Sequence, residues 1–117
     1  MTFRATWCEP CKKEMVQLQD LFEKLEPKGL MVLSISIDEP ESQGDVRPYV
    51  KQRRYTYPVL IDAESRVTEK LNSRRAAPFN IIIDKQGKIA WSHEGYVAGD
   101  EVKLEEAVMT ALGKTAQ

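Results

Sequence analysis

The chain of 117 residues is short of most residue types that announce a ligand or a covalent scaffold: it has one histidine and two cysteines. That is too few for a structural zinc site, which needs about four ligands. No apolar run approaches the roughly 18 residues needed to cross a bilayer, and the N-terminus lacks the apolar core of a signal peptide. Charge of one sign is missing too. Lys and Arg number 17 against 18 Asp and Glu, a net charge of −1, so nothing suggests a nucleic-acid partner. Repeats, low-complexity tracts and linkers do not occur. With 42% hydrophobic and 30% charged residues, the composition is that of an ordinary soluble domain, long enough to bury one core without disulfide staples. One domain spanning residues 1–117 is expected, as a monomer.

Both cysteines fall in Trp7-Cys8-Glu9-Pro10-Cys11. Two cysteines separated by two residues at a strand-to-helix junction, in a chain with a βαβ pattern, mark a redox dithiol site. One helical turn brings Cys8 and Cys11 to the same side, within reach of a disulfide. At a helix N-terminus the free N–H groups and the helix dipole favour the thiolate of Cys8. Pro10 fits a first turn, where its missing N–H has no partner to lose. The competing readings are half of a zinc site, for which no further cysteine exists and His93 is distant, and a pair of inert buried thiols.

Periodicity orders the rest. Met15, Leu18, Leu21, Phe22 and Leu25 recur at steps of three and four, predicting an amphipathic helix from Cys8 to about Glu26 that Pro27-Lys28-Gly29 ends. Thr2 to Thr6 reads as the end of a strand, with Arg4 awkward if that strand is buried on both faces. Leu30 to Ile37 reads as an inner strand. Asp38 to Gly44 reads as a solvated loop, Asp45 to Arg53 as a helix with Pro48 in its first turn, and Lys51, Arg53 and Arg54 as a solvated helix end. Tyr57 to Ile61 is a short strand that Pro58 confines to an edge or a strand start, and Asp62 to Asn72 a helix turning Val67 and Leu71 inward. Phe79–Ile83 and Lys88–His93 form a hairpin around Asp84-Lys85-Gln86-Gly87. Asp100 to Leu112 is a closing helix that Gly113 ends. The order is that of an α/β protein with a helical insert after the second core strand.

The run from Phe3 to Met15, above all Cys8-Glu9-Pro10-Cys11-Lys12-Lys13-Glu14, resembles the active-site segment of extracytoplasmic thioredoxin-like thiol-disulfide oxidoreductases. That group is related to the AhpC/TSA and redoxin proteins and includes cytochrome c maturation reductases. Ala77-Pro78-Phe79, followed by Ile81 to Ile89, is similar to that family's cis-proline loop and terminal hairpin. The resemblance implies a thioredoxin fold with a central mixed four-stranded sheet flanked by helices. It also implies that the family's upstream strand and helix are absent from the chain as given, which has only Met1 to Trp7 before the cysteines.

The resemblance further implies a reductant of protein disulfides without a bound cofactor or metal, acting in the periplasm or another extracytoplasmic space. The haem-attachment cysteines of apocytochrome c are a candidate substrate, and a membrane or periplasmic dithiol donor would recycle the protein. Cys8 would attack and Cys11 resolve, with Trp7, Pro10, Ala77 and Pro78 at the substrate and the Ala77-Pro78 bond cis. Glu39, just after the second core strand, would be a carboxylate near the sulfurs that opposes thiol ionisation and relays the Cys11 proton. Trp7 shields the sulfurs or belongs to the core, and Trp91 and His93 read as structural. Two rivals remain: a peroxiredoxin-like peroxidase, whose Thr-x-x-Cys motif is missing, and a non-catalytic binding module.

Overall fold

The computed structural model describes residues 1–113. Strand β1 (Thr2–Arg4) runs into helix α1 (Glu9–Leu25), whose buried residues Cys11, Glu14, Met15, Leu18, Leu21, Phe22 and Leu25 keep the expected helical spacing. A short 3-10 turn over Glu26–Lys28 closes it, and Gly29 takes the left-handed conformation (φ +108°) that a side chain would resist. Strand β2 (Ser34–Ser36), helices α2 (Pro40–Gln43) and α3 (Val46–Arg53), strand β3 (Val59–Ile61), helix α4 (Arg66–Leu71), strands β4 (Phe79–Ile83) and β5 (Ile89–Glu94), and helix α5 (Asp100–Gly113) follow.

The strands form one mixed sheet in the order β3-β2-β1-β4-β5. β2 lies parallel to β1 and β3, with Phe3 opposite Ile35 and Ile35 opposite Leu60. β4 is antiparallel to β1 and to β5. This is the thioredoxin fold, its four central strands extended by β3 at the edge, where Pro58 precedes the first paired residue. In the hairpin turn the Gly87 N–H donates to the Asp84 carbonyl at 3.0 Å, and the Asp84 carboxylate accepts the Gln86 and Lys88 amides.

Several expectations need correction. The strand expected over Leu30–Ile37 pairs only at Ser34–Ser36, because β1 and β3 each offer three residues to pair with. The segment expected as a solvated loop holds α2, and its first residue, Asp38, is buried. The helix expected over Asp62–Asn72 starts at Arg66: residues 62–65 make a turn (Ser65 N–H to the Asp62 carbonyl, 3.0 Å) and the Asp62 carboxylate accepts the Thr68 amide and hydroxyl. Thr68, not Val67, is the α4 side chain buried.

Two apolar clusters hold the layers together. Leu18, Leu21, Phe22 and Leu25 of α1 pack with Val32, Tyr57, Leu104 and Val108, joining α1 to α5. Phe3, Ala5, Ile35, Ile37 and Ile81 pack with Cys8 and Cys11 themselves, with Leu71, Ala77 and Phe79 alongside. Burying a side chain of this size stabilises by about 1.5–3 kcal/mol each, so the sulfurs stand on rigid ground.

Candidate active site

Cys8 caps α1. Its backbone is extended (φ −95°, ψ 105°), and its Sγ accepts the Cys11 amide at 3.2 Å, so an orphan donor of the first helical turn points at the sulfur. Cys8 and Cys11 are joined in a disulfide, with their Cα atoms 5.2 Å apart. Cys11 is wholly buried and Cys8 is 5% exposed, so Cys8 is the sulfur nearer solvent. When the disulfide is reduced, the same amide and the helix dipole favour the Cys8 thiolate.

The loop leading into the cysteines is tethered from below. The Thr6 amide lies 3.2 and 3.1 Å from the two Asp38 oxygens, and the hydroxyls of Thr6, Ser36 and Ser42 also donate to that carboxylate. Burial alone would raise the Asp38 carboxyl, but the hydrogen bonds from Ser36, Ser42 and Thr6 outweigh it and hold it below the usual range.

On the other side the Ala77-Pro78 peptide is cis, and Ala77 packs against the cluster that contains both cysteines. Asn72 grips Ala76 at both backbone groups (2.8 and 3.0 Å), and the Pro78 carbonyl accepts the Gly95 amide at 2.7 Å. Ala77 is thus presented between two fixed neighbours. Pro10 sits in the first turn of α1, exposed. Trp7, next to Cys8 in the chain, is 59% exposed, so the core reading of this residue fails.

Glu39 stands at the mouth of α2, exposed, with its carboxylate 3.1 Å from Arg75 Nη2. Arg75 also donates to the Ile37 carbonyl and to Ser65 Oγ, so this pair ties the end of β2 to the loop that precedes Pro78. The buried carboxyl of the site is a different one. Glu14 lies one turn after Cys11 on the inward face of α1, 4% exposed, and Asn80 donates to both of its oxygens at 2.9 and 3.0 Å. Burial pushes it up to about 7, the Asn80 hydrogen bonds only partly opposing. Its signal was present in the sequence: a charged residue at an apolar position, three after Cys11 and four before Leu18, is rarely buried without a role.

His93 stacks on Trp91 and meets Asp100 at 3.0 Å, away from the sulfurs in sequence and paired, which fits a structural part. Among the described residues no group of three or more His, Cys, Asp and Glu gathers as a metal site, and no helix is long and apolar enough to cross a membrane.

Known proteins are similar to this chain in sequence and in fold. A thiol-disulfide oxidoreductase named ResA from Bacillus cereus is 35% identical over 89 residues, covering 76% of this chain and 50% of that protein. A ResA from Geobacillus thermodenitrificans is 28% identical over 105 residues, covering 88% and 58%. The chain thus spans about half the length of the curated relatives it matches. Among solved structures, a thiol:disulfide interchange protein described as DsbE-like from Chlorobium tepidum superposes with a TM-score of 0.84 at 27% identity, over 95% of this chain and 77% of the other. A thioredoxin-like protein from Porphyromonas gingivalis does so with a TM-score of 0.82 at 29% identity, over 97% and 74%. Residues 1–92 match the AhpC/TSA family, and with most of its length inside that match the chain belongs to the AhpC/TSA family.

Proposed function

We propose that this chain, folded as one domain, is a thiol-disulfide oxidoreductase that reduces disulfides of other proteins. The observation that carries the reading is Cys8 at the N-cap of α1, bridged to Cys11 and flanked by the Ala77-Pro78 loop. In the reduced state the Cys8 thiolate attacks one substrate sulfur, forming a mixed disulfide and releasing the other sulfur as a thiolate. Cys11 then attacks Cys8 Sγ, expelling the second substrate sulfur. Two electrons pass from the Cys8/Cys11 dithiol to the substrate, which leaves as a dithiol.

Cys11 is wholly buried and must lose a proton to react. Glu14, one turn away with a carboxyl at about 7, is suited to accept that proton near neutral pH. We therefore assign the carboxylate part to Glu14, and to Glu39 a positioning part through Arg75 and the loop before Pro78. Trp7, Pro10 and Ala77, exposed or half-buried around the bridge, form the face offered to an extended substrate segment, and Pro78, wholly buried, holds Ala77 in place from beneath. The peroxidase reading has less support, since Ala5 stands where a Thr-x-x-Cys motif ending at Cys8 requires threonine.

The names of the relatives and the resemblance of the Cys8–Glu14 run favour an extracytoplasmic reductant. Apocytochrome c thiols are the candidate substrate, and a membrane or periplasmic dithiol donor the recycling partner. Reduction of insulin by the protein with a dithiol donor tests the activity. Turnover that survives Cys8→Ser would overturn it. A reduction potential near those of cytosolic reductants is expected, and one near the strong periplasmic oxidants would reverse the direction.

A further inference from the structure

Glu14 does not stand alone beneath the helix of the dithiol. Asn80, which holds both of its oxygens at 2.9 and 3.0 Å, lies directly opposite His93 in the β4–β5 ladder. Two residues along each strand Ile82 opposes Trp91, and both pack against the cluster that joins α1 to α5. Residues two apart on a strand share a face, so Asn80 and His93 also lie beneath those helices. Directly opposed side chains start about 4.5–5.5 Å apart. The His93 ring therefore stands next to the amide that grips Glu14.

His93 brings an opposite charge with it. Its Nε2 lies 3.0 Å from Asp100 Oδ2, at the start of α5, and the same oxygen accepts the Val97 amide at 3.0 Å. The Val97 hydrogen bond first, and the His93 contact second, hold the Asp100 carboxyl below the usual range, so it is ionised at neutral pH. Asp100 is 7% exposed, whereas the His93 side chain keeps 34% of its surface in solvent, with which it exchanges protons. Both act on Glu14, His93 favouring its carboxylate and Asp100 its neutral acid. The other titratable groups there are otherwise occupied. Burial keeps Tyr57 neutral, and a hydrogen bond to Glu101 does the same for Tyr96. Arg4, on the same face of β1, is turned to Ser34, Tyr57 and Asp38, and Lys103 on α5 acts on Asp100.

We propose that His93 and Asp100 are positioning residues for Glu14, a pair of opposite charges on β5 and α5 that sets the pH at which Glu14 exchanges the Cys11 proton. The proposal rests on the reading of Glu14 as the acceptor of that proton. With His93 protonated the pair carries no net charge. Once His93 gives its proton to water, Asp100 is an uncompensated negative charge beside a buried carboxyl, and like charges hold the Glu14 proton in place. Each proton is thus harder to remove after the other has left, so His93 and Glu14 titrate as a coupled pair in two spread steps. The spread widens the pH range over which Glu14 is poised between acid and base.

The test uses the oxidised protein, in which neither thiol titrates, with isotope-labelled glutamate carboxyls followed by NMR; Glu14 is the signal missing from Glu14→Gln. His93→Gln leaves Asp100 unbalanced and should move the Glu14 midpoint up, by roughly half a pH unit or more. Asp100→Asn should move it down by a similar amount, and the double variant should fall between the two. The opposite signs are diagnostic, because a variant that merely loosened the packing would admit water and lower the midpoint in every case. By reciprocity the His93 ring should titrate at lower pH in Glu14→Gln than in the parent. The pH of fastest insulin reduction should follow the Glu14 midpoint in both single variants. Unchanged midpoints, or shifts of one sign in both, overturn the role of the pair whatever turnover does. Opposite shifts with a turnover profile that stays put overturn the reading of Glu14 as proton acceptor, and the proposal falls with it. If Asp100→Asn does not fold, since Asp100 also holds the Val97 amide, His93→Gln and the reciprocal His93 titration carry the test, and failure of either shift overturns the coupling.

Discussion

Asn80, on β4, holds both oxygens of the Glu14 carboxyl from a single side-chain amide, at 2.9 and 3.0 Å, beneath the helix that carries the cysteines. The folded state keeps that carboxyl protonated up to about 7, against 4.5 in the unfolded chain, because burial penalises the charge. The unfolded chain therefore releases its proton first. Stability from this group is full below 4.5 and is lost as pH rises through about 7, a cost of about 3 kcal/mol. Glu14→Gln removes the titration. Urea unfolding should find the variant gaining on the parent by about 2–3 kcal/mol between pH 5 and pH 8, and a gap that does not change with pH would show that Glu14 is not buried as a neutral acid.

The two sulfurs differ in access, with Cys8 at 5% and Cys11 at 0% exposure. In the reduced protein at neutral pH, alkylation followed by mass spectrometry should find Cys8 modified first. Cys11→Ser should accumulate mixed disulfides through Cys8, since the resolving thiol is gone. Faster modification of Cys11 would exchange the two roles.

Asp38 gathers donors from Thr6, Ser36 and Ser42, and through Thr6 it fixes the approach to Trp7 and Cys8. Asp38→Asn turns an acceptor of several hydrogen bonds into a group that presents N–H to its own donors, and should cost about 2–3 kcal/mol at pH 7. The sign with pH is opposite to that of Glu14. A carboxyl held below 3.8 contributes stability that is present above that value and is lost as pH falls through the folded pKa. The gap between parent and variant should therefore narrow in acid. A gap constant from pH 7 to pH 2.5 would leave the charge of Asp38 without a stabilising part.

Where the sequence was legible, one local rule sufficed. The apolar spacing of α1, the Asp84–Gly87 turn and the cysteine pair each depend on residues within a turn or two of one another. What stayed hidden depends on distant partners. Glu14 is buried because Asn80, far along the chain on β4, meets it. Asp38 sits at the start of an acidic stretch that reads as solvated, and besides the nearby Ser36 and Ser42 it is held by Thr6, distant in sequence, from the loop after β1. Arg4 looked misplaced on a central strand. Its surroundings come from Tyr49, Tyr55 and Tyr57, which no periodicity links to it. Glu39 followed from its position after β2, yet its reach depends on Arg75, which takes the left-handed conformation (φ 53°) in the loop before Pro78.

Two carboxylates now compete for influence on the thiols, and their surroundings separate them. Glu39 is exposed and paired with Arg75, so its field at the sulfurs is screened by solvent and largely cancelled by its partner. Glu14 is buried on the Cys11 face of α1, where a charge acts through a medium of low polarity. Above about pH 7 an ionised Glu14 opposes loss of the Cys11 proton, and below it the neutral acid cannot accept that proton, so resolution should peak near neutrality. The rate of iodoacetamide reaction with pH gives the apparent thiol pKa values, and insulin turnover gives the catalytic profile. In Glu14→Gln the apparent thiol pKa values should fall, and turnover at pH 7 should drop by about 10- to 100-fold, the scale of a lost general base. In Glu39→Gln the thiol titration should match the parent, and any change should fall on substrate KM, since the variant frees Arg75 and loosens the loop before Pro78. A lowered thiol pKa in Glu39→Gln, with Glu14→Gln unchanged, would return the carboxylate part to Glu39.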